Sequence, residues 1–267
     1  MKMRFVSELK ALIKVIPGMS IVRKIRYARY FEKAKNTNLF HQTFSDFKSA
    51  ALAAPKSRAL GYDNEDSANM YDEYIENISA VDYPAIFWIE RLRDEVTSVY
   101  DFGGHVGIKF YAYSKYLSSN LSWTTYDVPA VVARGRQLAA DKKVLNLQFS
   151  DDLKDLETGF DLFFASGSFQ YLENPIDLVF KGLKNKPKFV LINMMTLHDT
   201  LTTVTVQSIG TAFCPYKLFQ KESFLRQLQI YGYELTAEWK NAEKQCEIPF
   251  HEKESLYGYT GLLLKLI

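Results

Sequence analysis

The stretch VYDFGGHVG, Val99 to Gly107, ends an apolar run with an acid and follows it with three glycines and a histidine. In open α/β sheets ligands bind beyond the carboxyl ends of the strands, so a strand that turns through glycines into a helix marks a ligand loop. The surrounding pattern supplies the strand and the helix. TSVYDF reads as a first strand, and VGIKFYAYSKYL as the helix after it, with Val106, Phe110, Tyr113 and Leu117 on one face. SWTTYDV reads as a second strand, PAVVARGRQLAADKK as a helix opening at Pro129, and LNLQFS as a third strand leading into the acidic turn DDLKDLE. FDLFFAS is apolar on both faces, as a central parallel strand is. Asn174 and Pro175 punctuate the start of a helix that stops before Pro187, and KFVLINMM gives a fifth strand. After a polar connection come the helix KESFLRQLQIYG and two last strands, YELTAEWK and YGYTGLLLKL.

Parallel neighbours need a crossover, which helices supply, whereas two closing strands joined by a loop make an antiparallel hairpin at one edge. The expected fold class is therefore α/β: a Rossmann-like, seven-stranded, mostly parallel sheet with an antiparallel C-terminal hairpin strand, over residues 96–267. Residues 1–95 show no such alternation. They read as a helical N-terminal region, with a basic amphipathic helix within 1–35 and a cap or lid over 40–95.

The 267 residues are 47% hydrophobic and 24% charged, ordinary for a globular chain that buries a full core. No apolar run approaches the ~20 residues of a membrane span, and the basic start lacks an uninterrupted apolar stretch, so a soluble cytoplasmic protein is expected. Cys214 and Cys246 fall in a loop and at a strand end without metal spacing, and read as free thiols. The formal charge of +2 conceals an asymmetry: residues 1–35 hold ten Lys or Arg against two Glu. Phe5, Leu9, Leu12, Ile13 and Ile16 recur there at helical spacing before Pro17-Gly18. Such a helix serves either as a surface cap or as a peripheral contact with an anionic membrane face. No nucleic-acid partner is indicated, and the oligomeric state stays open.

The glycine loop is not a dinucleotide fingerprint. Its glycines stand at 103, 104 and 107 rather than in G-x-G-x-x-G, and Asp101 would repel a pyrophosphate. An acid ahead of the glycines suits a ligand that offers a cation. DFGGHVG resembles the first motif of class I S-adenosylmethionine-dependent methyltransferases, acid-x-Gly-x-Gly-x-Gly. Asp101, Gly103 and Gly107 match it, and His105 stands where the middle glycine usually is. The resemblance implies S-adenosyl-L-methionine as cofactor and S-adenosyl-L-homocysteine as product, with Asp101, Gly103, Gly104, His105 and Gly107 around the methionine portion. It further implies Asp127, with Val128, at the ribose hydroxyls, and Asp151 or Asp152 beside the adenine amino group. Ser166, in ASGSFQYLENP, falls where small residues let cofactor and acceptor meet. The order DFGG, YDVP, SGSFQYL, VLIN, TVTVQ, PYKLF, GYEL, YGYTG is similar to methyltransferases associated with bacterial surface-polysaccharide biosynthesis. That similarity implies O-methylation of a hydroxyl, or a phosphate, on a sugar or other small-molecule or glycan acceptor in capsule assembly.

Methyl transfer to a neutral hydroxyl needs alignment and removal of a proton. His198, beyond the fifth strand, is the candidate base; Gln170 and Tyr171, with Gln207 and Tyr216, are candidates for orienting the acceptor. Tyr62 and Tyr71 read as a lid or as aromatic core. Asp151, Asp152 and Asp199 lack the spacing of a metal site, and no metal is expected. Two other readings stay open: a NAD-dependent nucleotide-sugar enzyme, which lacks its fingerprint here, and a non-catalytic binding protein on the same fold, which His105 favours.

Overall fold

The computed structural model describes residues 19–35, 37–71, 75–118 and 120–267. The periodic segment from Phe5 to Ile16 lies outside them. The chain begins with α1 (Met19–Lys33), β1 (Thr37–Phe44), α2 (Phe47–Ala53), β2 (Ala59–Leu60), the single turn α3 (Glu65–Ala68) and α4 (Tyr83–Arg91). The alternating part runs β3 (Ser98–Phe102), α5 (Ile108–Tyr113), β4 (Ser122–Tyr126), α6 (Pro129–Asp141), β5 (Leu147–Ser150), β6 (Leu162–Ser166), α7 (Pro175–Phe180) and β7 (Phe189–Met195). Then come β8 (Leu197–His198), β9 (Thr203–Ile209), β10 (Ala212–Gln220), α8 (Lys221–Ile230), β11 (Tyr233–Cys246) and β12 (Leu256–Leu266).

The main sheet has the order β11-β12-β7-β6-β3-β4-β5. β7, β6, β3, β4 and β5 are parallel, and β12 runs antiparallel to both β7 and β11. From β3 the chain moves outward through β4 to β5, then returns to β3's other side at β6. The order thus reverses at β3, which puts the switch point of the sheet, where open α/β folds bind ligands, at the carboxyl ends of β3 and β6. Successive residues of each central strand enter opposite cores: Val99, Phe164 and Leu191 pack on one face, Tyr100, Phe163 and Val190 on the other. Each fully buried aromatic there stabilises the sheet by roughly 2–3 kcal/mol, which is why these strands read as apolar throughout.

A second sheet, β1-β9-β10-β2 with β8 on β10, departs from the expected arrangement. The polar connection after β7 holds three strands, and the N-terminal region contributes two more rather than being wholly helical. β9 alternates in period two. Val204 and Val206, with Phe213 of β10, pack against Phe31 of α1 and against Ala50 and Ala54. Cys214, Tyr216 and Leu218 face the other way, toward Tyr171. Thr205 and Gln207 are buried as well, so the polar face of TVTVQ is turned inward and never meets water. The second sheet is therefore a roof over the end of the main sheet, with α1 and α2 on its outer side.

Smaller differences are local. Cys214 lies in β10 rather than in a loop; it and Cys246 are buried free thiols whose pKa values burial pushes up. The helix expected to run through Leu117 ends at Tyr113, and Asn174 starts α7 without a side-chain cap bond.

Candidate functional site

β3 delivers Asp101 and then the glycine loop to the switch point of the sheet. Gly103 has φ +69, and its N–H donates to the Tyr126 carbonyl at 2.7 Å. A Cβ on Gly103 would come within 2.4 Å of Ser168 Cβ, so this loop packs directly on the loop after β6. At Gly104 a Cβ would lie 2.1 Å from Oδ2 of Asp101. The carboxylate thus occupies the space a side chain would need. Gly107, φ +85, opens α5.

His105 adopts φ 57, the left-handed conformation that favours glycine. The conformation costs a non-glycine residue roughly 1–2 kcal/mol. Two contacts offset it: the His105 N–H donates to Asp127 Oδ2 at 2.8 Å, and ring Nε2 lies 3.0 Å from the Ser67 carbonyl. A carbonyl only accepts, so Nε2 carries the proton. Tyr71 meets the imidazole edge-on at 4.9 Å, with Tyr62 beside it at 6.2 Å.

Asp101 is fully buried. Its Oδ2 accepts the indole N–H of Trp123 at 3.0 Å, while Oδ1 has no hydrogen-bond partner. Burial pushes this carboxyl up to about 7; the Trp123 bond and the charge of Lys109 pull it down, and Asp127 pushes it further up. Lys109 itself is bonded to the buried Asp82 at 2.6 Å, a partner shared with the Tyr113 hydroxyl. Asp127, at the end of β4, accepts the Val128 N–H on Oδ1 at 2.8 Å as well as the His105 N–H on Oδ2. Burial raises its pKa to about 6, against those two bonds and with help from Asp63. No described Lys or Arg forms an ion pair with either carboxylate. The loop therefore encloses two carboxylates, and Asp101 Oδ1 keeps unused acceptor capacity.

Asp151 and Asp152 are both exposed. Asp152 caps the short turn Leu153–Thr158 by accepting the Lys154 N–H, whereas Asp151 lies 4.0 Å from Arg136. Ser166, at the end of β6, has a buried hydroxyl without a hydrogen-bond partner. Among the described residues no group of three or more His, Cys, Asp or Glu could hold a metal ion.

In the turn after β6 and on the roof above it stand neutral groups. The Gln170 amide donates to the Met194 carbonyl at 2.6 Å and, more weakly, to the Tyr216 hydroxyl at 3.4 Å. Tyr216 donates onward to Tyr259, which donates to the Gln245 carbonyl. This chain fixes the amide, and Gln170 Oε1 is buried without a partner. Tyr171 donates to Gln207 Oε1 at 2.8 Å, and Gln207 donates to Asn38 Oδ1 at 2.9 Å. Tyr62 donates to the Tyr171 hydroxyl at 3.3 Å. Burial raises the phenols of Tyr62, Tyr171 and Tyr216 well above 10, which makes them hydrogen-bond donors rather than bases.

His198 is held by its own surroundings. Nδ1 accepts the N–H groups of Thr200 and Leu201 at 3.1 and 3.3 Å, and Nε2 lies 3.1 Å from the Lys253 carbonyl. Trp123, Ser67 and Asn38 enter the arrangement without any sequence signal of their own. Trp123 sits opposite Val99 in the parallel register, two residues below Asp101, and only the sheet brings its indole to the acid. A separate hollow of about 420 Å³, lined by Phe110, Leu117, Leu121 and Asn146 among others, lies at the amino ends of β4 and β5, away from the loop.

No family model matches the sequence, and no curated protein matches it. Among solved structures, the CcbJ methyltransferase from Streptomyces caelestis is similar with a TM-score of 0.52 at 14% identity, over 77% of this chain and 97% of that one. The chain has the methyltransferase fold. The 1,6-didemethyltoxoflavin-N1-methyltransferase of Burkholderia thailandensis, solved with 1,6-didemethyltoxoflavin and S-adenosylhomocysteine, is also similar, with a TM-score of 0.52 at 12% identity over 75% and 84% of the two chains.

Proposed function

We propose that this protein is an S-adenosylmethionine-dependent methyltransferase that methylates a hydroxyl of a small acceptor, and that a sugar of a surface glycan is that acceptor. The buried carboxylate of Asp101, packed against Gly104 with one oxygen unsatisfied, carries the proposal. An α-ammonium would give Oδ1 a charge-assisted donor and relieve the penalty that holds this acid near 7. A pyrophosphate would meet Asp101 and Asp127 together and gain from neither, which disfavours the NAD reading.

Asp101 would hold the ammonium. Asp127 would take the ribose hydroxyls on the lone pairs its backbone bonds leave free, Asp151 would face the adenine edge, and Gly103 and Gly104 permit close backbone approach. His105 keeps the left-handed turn of the middle glycine, which supports retained binding over a degenerate loop. When bound, the cofactor supplies a methyl group on a sulfonium, already a good electrophile. Gln170, its amide nitrogen anchored, presents Oε1 to an acceptor hydroxyl, beside the Tyr171 phenol whose proton goes to Gln207. The neutral lining suits an uncharged polar acceptor. The sugar itself is supported by the order of sequence motifs.

Of the two roles open to His198, proton acceptor or loop clasp, its backbone bonds favour the clasp. Calorimetry of the full chain with S-adenosylhomocysteine tests the cofactor assignment, and saturable one-site binding is the expected result. Folded protein that shows neither binding heat nor thermal stabilisation overturns it. Transfer of labelled methyl groups to nucleotide sugars, compared with simple phenols, then tests the acceptor.

A further inference from the structure

α1 is fastened to the roof by one side only. The Tyr27 hydroxyl donates to the Phe40 carbonyl at 2.8 Å, and Phe31 is fully buried among Ala50, Ala54, Val204, Val206 and Phe213. The Arg58 guanidinium donates to the Phe31 and Glu32 carbonyls, satisfying the helix C-terminus. At about 100° per residue, Tyr27 and Phe31 define the inner side, and Ile21, Val22 and Ile25 fall on the outer one. Their exposures are 64%, 59% and 49%. Arg26, Arg29 and Lys33 share that outer half and are exposed as well. Over its 15 residues α1 carries five Lys or Arg against one Glu.

We infer that this outer face of α1 docks the protein on an anionic lipid bilayer, with the helix lying in the plane of the headgroups. Tyr27 and Phe31 already account for the folding of α1, so three adjacent branched aliphatics left in water need a different explanation. Aliphatic residues interleaved with cations are the composition of an interfacial helix: the side chains reach the acyl boundary while Arg and Lys stay at the phosphates. The exposed side of a single helix is convex, a shape that lies flat on a bilayer surface. A fluid surface of negative charge matches both its shape and its sign. The helix is too short and too charged to insert across the bilayer, and among the described residues no helix is long and apolar enough to do so. The inference does not depend on the chemistry proposed above.

Flotation of the full chain with vesicles tests it, using neutral phosphatidylcholine alone and phosphatidylcholine with about 30% phosphatidylglycerol. Wild-type protein is expected to float with the anionic vesicles only, and about 0.5 M NaCl is expected to release it. Arg26→Ala with Arg29→Ala should weaken partitioning about 30-fold, from the contribution of two surface cations. Ile21→Ser with Ile25→Ser should weaken it about tenfold or more. All four positions are exposed, and an unchanged melting curve shows that each variant is folded. Absence of flotation with anionic vesicles overturns the inference, as does equal flotation with neutral ones. Undiminished flotation of the isoleucine pair overturns it by assigning binding to another part of the chain. A concentration-dependent dimer that the isoleucine pair dissolves overturns it by giving the face to a second copy.

Discussion

The two walls of the candidate site, glycine loop and roof, hold their polar groups in opposite ways. On the glycine-loop side two carboxylates are packed into backbone and apolar surroundings, with pKa values raised to about 7 and about 6 and one Asp101 oxygen unsatisfied. On the roof side Gln207, Tyr216 and Asn38, with Tyr171 of the turn beneath them, are neutral, and their hydrogen bonds run to one another or end on backbone carbonyls. A wall with unpaired acid gains most from a cationic ligand and is sensitive to pH. A wall of bonded amides and phenols is rigid, indifferent to pH near neutrality, and selective by shape. The division teaches that cofactor affinity and acceptor selectivity can be perturbed separately.

The largest effect is expected at Asp101. Asp101→Asn should weaken S-adenosylhomocysteine binding about 100-fold, the value of a hydrogen bond to a charged group, by calorimetry. The same change should stabilise the fold at alkaline pH. An acid whose folded pKa lies above its unfolded value of 3.8 imposes no penalty below about 4; the penalty grows as pH rises and is complete above 7. It reaches on the order of 4 kcal/mol at most. The variant should therefore melt several degrees above wild type at pH 8, with a smaller gain at pH 5. Loss of binding together with loss of stability at pH 8 would remove Asp101 from the cofactor and make it a structural acid.

Wild-type affinity should follow the same proton. A ligand ammonium binds the carboxylate form, so affinity should rise up to about tenfold per pH unit as pH approaches 7 and level off above it. Calorimetry in two buffers of different ionisation enthalpy should show proton release near pH 6.5. A flat profile from pH 6 to 8 contradicts the electrostatic half of the comparison.

Gly104→Ala comes next. Its Cβ would stand 2.1 Å from the Asp101 carboxylate, so either the loop or the acid has to move. A loss of about 1–3 kcal/mol in stability, with binding weakened by a comparable factor, is expected from melting and calorimetry. This site was legible because its elements are local: a strand, an acid and a turn lie within nine consecutive residues, and the helix after them closes the parallel crossover. The seven strands of the main sheet were legible for the same reason. The roof was not. β1 pairs with β9 through Thr37 and Ile209, far apart in the chain, and the Thr and Gln face of β9 reads as polar connection because it is buried against Tyr171 rather than wetted. Neither Trp123 beneath Asp101 nor Asn38 behind Gln207 is signalled by neighbouring residues, since sheet pairing alone brings each to its partner.

Tyr171→Phe tests the rigid wall. It leaves the buried Gln207 Oε1 without its phenolic donor, a cost of about 1–3 kcal/mol seen in thermal unfolding. S-adenosylhomocysteine affinity should stay within about twofold, because Asp101 and Asp127 keep all their bonds; the acceptor KM should rise. Weakened cofactor binding in this variant would mean that the two walls are coupled through Tyr62 and the loop it covers.

The smallest effect is expected at His198, and it bears on where the acceptor proton goes. Both ring nitrogens are engaged, Nδ1 as acceptor for the Thr200 and Leu201 N–H groups and Nε2 as donor to the Lys253 carbonyl. A base in this position would have to break the Nδ1 contacts whenever it accepted a proton, trading loop structure for catalysis at every turnover. His198→Ala should therefore cost about 1 kcal/mol in stability, the worth of a partly exposed set of bonds, and leave the initial rate of methyl transfer and its pH profile within about twofold of wild type. A rate falling a hundredfold, with the pH profile losing a limb near neutrality, would instead make His198 the base. The clasp would then have to open in the acceptor complex, and the separation between a charged cofactor wall and a neutral acceptor wall would fail at this residue.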